Sequence, residues 1–210
     1  MKKILIIPLL TSVFAFGQSF VPDAPELDLK SYILIEPNTN TVIAEFNSTS
    51  EIEPASMTKI MTAYVAADQI SNELIALDDE VLISEKAWRM EGSRMFIEAG
   101  KRVSVSDLLK GIIIQSGNDA SVAIAEYAGG TERGFVDLMN AYAGSLNMNN
   151  TNFQNSTGLP AVNHFSSAKD LGILTSNLIT EFPEIYSFYK ERQFTFNEIK
   201  QLNRNKLLWR

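Results

Sequence analysis

Two short runs of β-forming residues, 31–36 (Ser-Tyr-Ile-Leu-Ile-Glu) and 41–46 (Thr-Val-Ile-Ala-Glu-Phe), flank Pro-Asn-Thr-Asn and predict a β-hairpin. Beyond them, apolar residues at Ile60, Met61, Ala63, Val65, Ala66 and Ala67 cover most of a helical circumference, as in a helix buried on nearly all sides. Short strand-like pieces follow around 80–83 and 94–97. Residues 104–115 place Val105, Leu108, Leu109, Ile112 and Ile113 at helical spacing. Gly117 interrupts that helix, Asn118 or Asp119 can cap a second one over 120–128, and Gly129-Gly130 ends it. Further helices are predicted at 132–145, 168–180 and 183–189, and a strand at 193–197. Strands at the start, helices in the middle and a strand near the end describe a mixed α/β (α+β) architecture. In it, an antiparallel sheet lobe completed by both ends of the chain surrounds an inserted helical lobe.

At 210 residues the chain can hold one substantial domain or two intimately packed lobes. A net charge of −7 argues against a nucleic-acid partner. With no cysteine and one histidine, His164, a zinc cage is excluded. A Ser-His-Asp triad would rest on His164 alone, which reads as a loop residue between helices. Absence of cysteine fits any compartment. The N-terminus says more. Lys2 and Lys3 precede an apolar run, 4–16, and Ala15-Phe16-Gly17 puts small residues where a signal peptidase reads. A signal peptide over 1–17, cleaved after Gly17, makes the remaining chain, 18–210, an exported protein. The run is short for a bilayer span, and its alternative is an uncleaved anchor.

The segment Pro54-Ala-Ser-Met-Thr-Lys-Ile-Met-Thr-Ala-Tyr-Val-Ala67 carries candidate chemistry. From Ala55 to Ala67 its only ionisable side chains are Lys59 and Tyr64. A lysine in such a helix is costly to bury unless it is paired or neutral. Ser56 lies three residues earlier, on the same face, so its hydroxyl and the Lys59 amine can come within hydrogen-bond reach. The helix start and desolvation both favour a neutral amine, which can take the serine proton. The alternative is chance plus an N-cap serine, because Ser-x-x-Lys also occurs at Ser166/Lys169 and Ser187/Lys190. Ser166 opens a predicted helix and reads as its cap, and Ser187 lies in a polar stretch.

Ser116-Gly117-Asn118 is the second such place. Alternate residues of a short turn can point the same way, so Ser116 and Asn118 could share a cleft. The hydroxyl could relay a proton there, and the amide could hold the lysine or a substrate carbonyl. Taken alone, Ser-Gly-Asn is only a loop between two helices.

Together, Ser56-x-x-Lys59 and Ser116-x-Asn118 resemble the active-site-serine superfamily of penicillin-binding proteins and β-lactamases. Four longer strings resemble its D-alanyl-D-alanine carboxypeptidase branch: Pro-Ala-Ser-Met-Thr-Lys-Ile-Met-Thr-Ala-Tyr, Gly-Ile-Ile-Ile-Gln-Ser-Gly-Asn-Asp-Ala-Ser, Asn-Ser-Thr-Gly-Leu-Pro, and the stretch from Phe194 through Asn203-Arg204-Asn205 to Trp209. The resemblance implies a β-lactamase/transpeptidase-like fold and a cofactor-free acyl transfer. Ser56 would be the acylated nucleophile, Lys59 its general base and Ser116 a proton shuttle. Asn118 would position Lys59 and the substrate amide, and Arg204 would meet the terminal carboxylate. The substrate would be the D-Ala-D-Ala end of peptidoglycan pentapeptides, and β-lactam antibiotics would mimic it.

One departure stands out. The superfamily's third motif, Lys-Thr/Ser-Gly, is absent from these 210 residues. Ser156-Thr157-Gly158 is the nearest string, but Pro160 follows closely and the segment reads as a loop. In the family the third motif comes shortly after the Asn-Arg-Asn string, so 18–210 is expected to be an incomplete catalytic domain without its final sheet strands. The resemblance also implies a full-length parent with a C-terminal β-rich domain and a membrane-anchoring helix, resident in the periplasm at the inner membrane. The chain as given is expected to be weakly active or inactive. Two rival readings stay open: a non-catalytic peptidoglycan-binding scaffold, and a serine β-lactamase using Glu181 or Glu184 for deacylation.

Overall fold

The computed structural model describes residues 26–210, so the expected signal peptide, 1–17, lies outside the described residues. The predicted hairpin is present. β1 (Tyr32–Glu36) pairs antiparallel with β2 (Thr41–Phe46), with a register shift between Leu34 and Ile35. The Glu36 carboxylate closes its turn by accepting from the N–H groups and side chains of Asn38 and Thr39. The central helix, α1 (Thr58–Ser71), buries residues all around its axis and packs against α4 (Asn118–Gly129), α5 (Glu132–Ser145) and α6 (Ala168–Glu181). Met61, Val65, Leu108, Leu109, Ile124, Phe135 and Met139 make the fully buried centre. Each such side chain contributes about 1.5–3 kcal/mol by leaving water.

The hairpin packs on α6 through β1, and a smaller layer packs on α4. β3 (Glu80–Leu82) pairs with β4 (Arg102–Ser104), and α2 (Glu85–Trp88) follows β3. The strand predicted at 94–97 does not form. Its backbone N–H groups are taken by a carboxylate, Asp119, instead of a neighbouring strand. The helix predicted over 104–115 is α3 (Val105–Lys110), capped by the Ser104 hydroxyl, and it widens into a π turn at Gly111–Gln115. Gly111 permits that turn's close approach, since a Cβ there would lie 2.2 Å from Met95 Sδ.

Two predicted caps are corrected. Gly117, not Asn118 or Asp119, stands at the N-cap of α4, because both side chains are committed elsewhere. Ser167, not Ser166, caps α6 by accepting the Asp170 N–H. The end of the chain also differs from expectation. α7 (Pro183–Ser187) runs into a 3-10 turn, and β5 (Gln193–Phe196) pairs with β6 (Ile199–Leu202) rather than with the first hairpin. Among the described residues the strands therefore form three separate two-stranded sheets. The β5–β6 hairpin leans on the Gly111–Gln115 turn, which brings the segment after it beside the helix break.

Candidate active site

Ala55, Ser56 and Met57 form a 3-10 turn that leads directly into α1. Ala55 adopts φ 46°, a left-handed conformation that costs a non-glycine residue about 1–3 kcal/mol. Ser56 thus enters the helix from a strained turn, with its side chain exposed. Lys59, one turn on, is only 4% exposed. Its Nζ donates to Asn118 Oδ1 at 2.8 Å and to the Thr157 carbonyl at 2.6 Å. Two of the three ammonium protons are so used. Burial lowers the Lys59 pKa to about 8, with the positive charge of Arg204 adding to the effect and Asp119 opposing it. At pH 7 such a lysine is neutral in about a tenth of molecules, against roughly one in 3,000 for a lysine of ordinary pKa.

Ser116 follows the π turn in a left-handed conformation, φ 62° and ψ 41°. The widened turn is closed by the Gly117 N–H, which donates to the Gly111 carbonyl at 3.0 Å. π turns of this kind concentrate at functional sites. The Ser116 hydroxyl is buried and has no hydrogen-bond partner. A cavity of about 100 Å³ gathers Ser56, Lys59 and Ser116 with Ile60, Ile112, Ile113 and Tyr189. Among the described residues no hydrogen bond joins Ser56 to Lys59, although their spacing predicted that one could form. The amine is drawn toward Asn118 and Thr157, while Ser56 faces the same cavity from the 3-10 turn.

Asn118 reaches Lys59 through its oxygen, and its amide nitrogen donates to the Glu91 carbonyl at 2.6 Å, leaving one N–H free. Asp119, fully buried, accepts from the N–H groups of Met95, Phe96, Ile97 and Ala120. It clamps the 93–97 segment to the start of α4. Within that segment Ser93 donates to the Gln115 carbonyl and accepts from Arg204 Nη2 at 2.8 Å. Arg204 is therefore held at the rim, near enough for its charge to act on Lys59. All five predicted site residues converge on one region of the molecule.

The loop at 155–158 supplies a site atom that no residue pattern marks. Ser156-Thr157-Gly158 is a loop, as read, but its Thr157 carbonyl is a ligand of Lys59. Asn155 Oδ1 folds it by accepting from the N–H groups of Thr157 and Gly158 and from the Thr157 hydroxyl. A backbone carbonyl leaves no mark on a sequence; the only available signal was the turn-rich run Asn-Ser-Thr-Gly-Leu-Pro. His164 is a loop residue as predicted, yet buried. Its Nδ1 accepts the Gln154 N–H at 3.0 Å, so the ring proton sits on Nε2 and is donated to Thr58 Oγ1 at 2.8 Å. It braces α1 beside Ser56. Among the described residues no group of three His, Cys, Asp or Glu side chains is placed to hold a metal ion.

Comparison with known proteins adds four matches. A family model described as D-alanyl-D-alanine carboxypeptidase matches residues 18–210. The D-alanyl-D-alanine carboxypeptidase DacC of Escherichia coli K12 is 44% identical over 201 residues, covering 93% of this chain and 50% of that protein. Penicillin binding protein 6B from Escherichia coli superposes with a TM-score of 0.88 at 41% identity, over 91% of this chain and 62% of the other. Penicillin-Binding Protein D2 from Listeria monocytogenes in its ampicillin-bound form superposes with a TM-score of 0.78 at 25% identity, covering 89% of this chain and 77% of that one. The chain spans about half the length of the curated relatives it matches. The structural matches bear out the β-lactamase/transpeptidase-like fold class.

Proposed function

The chain belongs to the D-alanyl-D-alanine carboxypeptidase family, and on that premise we propose that it is the acylating part of a serine carboxypeptidase that removes the terminal D-alanine from peptidoglycan pentapeptides. One observation carries the reading: Ser56, a Lys59 whose pKa lies near neutrality, and an unpartnered Ser116 hydroxyl share one cavity. Ser56 Oγ attacks the carbonyl carbon of the penultimate D-alanine and gives its proton to neutral Lys59. The backbone N–H of Ser56, ahead of the first hydrogen-bonded turn of α1, faces the developing oxyanion; one such donor supplies about 3–4 kcal/mol in comparable sites. As the C–N bond breaks, Ser116 passes the proton from Lys59 to the leaving amine. Water then attacks the ester carbonyl, and the shortened peptide leaves with Ser56 restored.

Arg204 supplies the positive charge for the substrate's terminal carboxylate, and the free N–H of Asn118 is available to its amide carbonyl. β-Lactams acylate the same serine, in keeping with the ampicillin-bound Listeria relative. Because the 210 residues hold no Lys-Thr/Ser-Gly motif, we assign this chain a slow acylation. The site of action is the periplasmic cell wall, reached through the signal peptide at 1–17, with 18–210 as part of the catalytic domain. Attachment to the inner membrane belongs to the proposal; among the described residues no helix is long and apolar enough to cross a bilayer.

Incubation with a fluorescent penicillin, followed by intact mass and peptide mapping, tests the reading. A stable adduct on Ser56, absent from S56A, supports it, and the lack of any Ser56 adduct overturns it in favour of a non-catalytic scaffold. Rapid release of the adduct would favour a β-lactamase. Neither Glu181 nor Glu184 lines the cavity, and Glu181 is engaged by the Tyr64 hydroxyl at 2.6 Å, which weighs against that alternative.

A further inference from the structure

Glu132 begins α5, where an acidic side chain ordinarily complements the helix dipole. Here the cap is already made, because Thr131 Oγ1 accepts the Gly134 N–H at 3.0 Å. The Glu132 carboxylate reaches out of its helix instead. Oε1 accepts from the Ser156 N–H at 3.2 Å and from its hydroxyl at 2.8 Å, and Oε2 lies 2.7 Å from Lys86 Nζ. Its side chain is 14% exposed. Burial alone would push the carboxyl up, but Lys86 and Ser156 outweigh it and hold Glu132 below its ordinary value.

Ser156 is fully buried, and among the described residues Glu132 is the acceptor for both its N–H and its hydroxyl. Its own carbonyl accepts from Thr62 Oγ1 at 2.7 Å, and the next carbonyl, of Thr157, accepts from Lys59 at 2.6 Å. The residue that Glu132 grips therefore directly precedes the one that grips the lysine. If Glu132 is removed, two buried donors lose their acceptor, and the loop is released from α5 and free to turn. The Thr157 carbonyl turns with it.

We propose that Glu132 is a positioning residue for acylation: by holding Ser156 it keeps the Thr157 carbonyl aimed at Lys59, and so sets where the amine sits and how readily it gives up its proton. The inference rests on the reading of Lys59 as general base. Lys86 keeps the carboxylate charged and turned toward the loop.

The test is the titration of Lys59 in the folded chain. Lysine labelled with ¹³C is followed by NMR as pH rises, the Lys59 signal being identified by its loss in K59R. In E132A the ammonium loses an acceptor, and its midpoint should fall by about half a unit or more relative to wild type. E132Q keeps an oxygen for both Ser156 donors and should titrate within about 0.2 unit of wild type, which separates hydrogen-bond geometry from charge. E132D, too short to span the gap, should fall between E132A and wild type and serves in place of E132A if that variant does not fold. A folded E132A or E132D whose Lys59 titrates with the wild type overturns the proposal. Ser56 acylation by fluorescent penicillin is measured alongside, with at least a tenfold slower rate expected in E132A and recovery in E132Q. Absence of acylation in the wild type would strike the functional reading, while the NMR titration would still decide the role of Glu132.

Discussion

Gly158 lies so close to Ala55 that a Cβ added at position 158 would come 1.8 Å from the Ala55 carbonyl oxygen and 3.0 Å from Thr58 Oγ1. Its φ of +83° is one that side chains rarely adopt. The loop that supplies the lysine's carbonyl ligand is thereby seated against the turn that carries the nucleophile. Contact and conformation both exclude a larger residue. G158A should destabilise the chain by about 2 kcal/mol or more and slow Ser56 acylation by at least about a hundredfold, since a misplacement near 1 Å can cost that much. Urea unfolding and penicillin labelling check the two effects, and a G158A chain that labels at the wild-type rate would show the seat to be irrelevant to Ser56.

Lys59 ties catalysis and stability to pH in the same direction but over adjacent windows, the first below about pH 8 and the second above it. Acylation needs the neutral amine, so its rate should rise about tenfold per pH unit below pH 8 and level off above it. Stability responds to the proton count. Between about 8 and the ordinary value of 10.5 the unfolded chain binds the lysine proton and the folded chain does not. Folding therefore gains stability as pH rises through that window, by roughly 3 kcal/mol in all. Below pH 8 both states are protonated and the slope vanishes. The raised pKa values of buried Tyr64 and half-buried Tyr142 act against this trend above pH 10. The difference between wild type and K59M, from urea melts at pH 7.5 and 9.5, isolates the lysine; parallel curves would mean that Lys59 is not desolvated in solution.

How far the site could be read from the chain depends on which atoms do the work. α1 was legible because its apolar residues leave no polar face, and Lys59 was conspicuous because nothing else charged lies near it. Ser116 and Asn118 became visible only once Lys59 needed partners. The Thr157 carbonyl could not be foreseen, since every residue has one and its direction is set by Asn155, Gly158 and Glu132, the last from 25 residues away. Arg-Met-Phe-Ile at 94–97 misled in the opposite sense. Its composition is that of a strand, but Asp119 offers its N–H groups a nearer acceptor than any neighbouring strand does.

Ser116 should reveal a conflict between stability and function. A left-handed serine is strained, and its buried hydroxyl has no partner. S116G relieves both and should stabilise the chain by about 1 kcal/mol, while S116A relieves only the second. Both lack the proton relay and should cleave a D-Ala-D-Ala peptide at least about a hundredfold more slowly. Thermal melts and D-alanine release measure the two quantities. A stabilised S116G that keeps wild-type cleavage would remove Ser116 from the mechanism.

His164 should make the folded chain sensitive to mild acid. Its Nδ1 accepts the Gln154 N–H and its Nε2–H serves Thr58, an arrangement open only to the neutral ring. A proton on Nδ1 would face another donor, and burial holds the pKa below its ordinary value of 6.5. As pH falls through 6.5 the unfolded chain takes up a proton that the folded chain refuses, so stability drops as pH goes down. The contribution is intact above that value and lost as the folded value is passed. H164Q keeps an acceptor and a donor without a titratable ring, so from pH 7 to pH 5 it should lose less stability than wild type. Because Thr58 sits two residues after Ser56, acylation by penicillin at pH 5, compared at equal Lys59 protonation, should fall further in wild type than in H164Q. Identical pH dependence of the two proteins in both measurements would exclude His164 as the acid-sensitive brace.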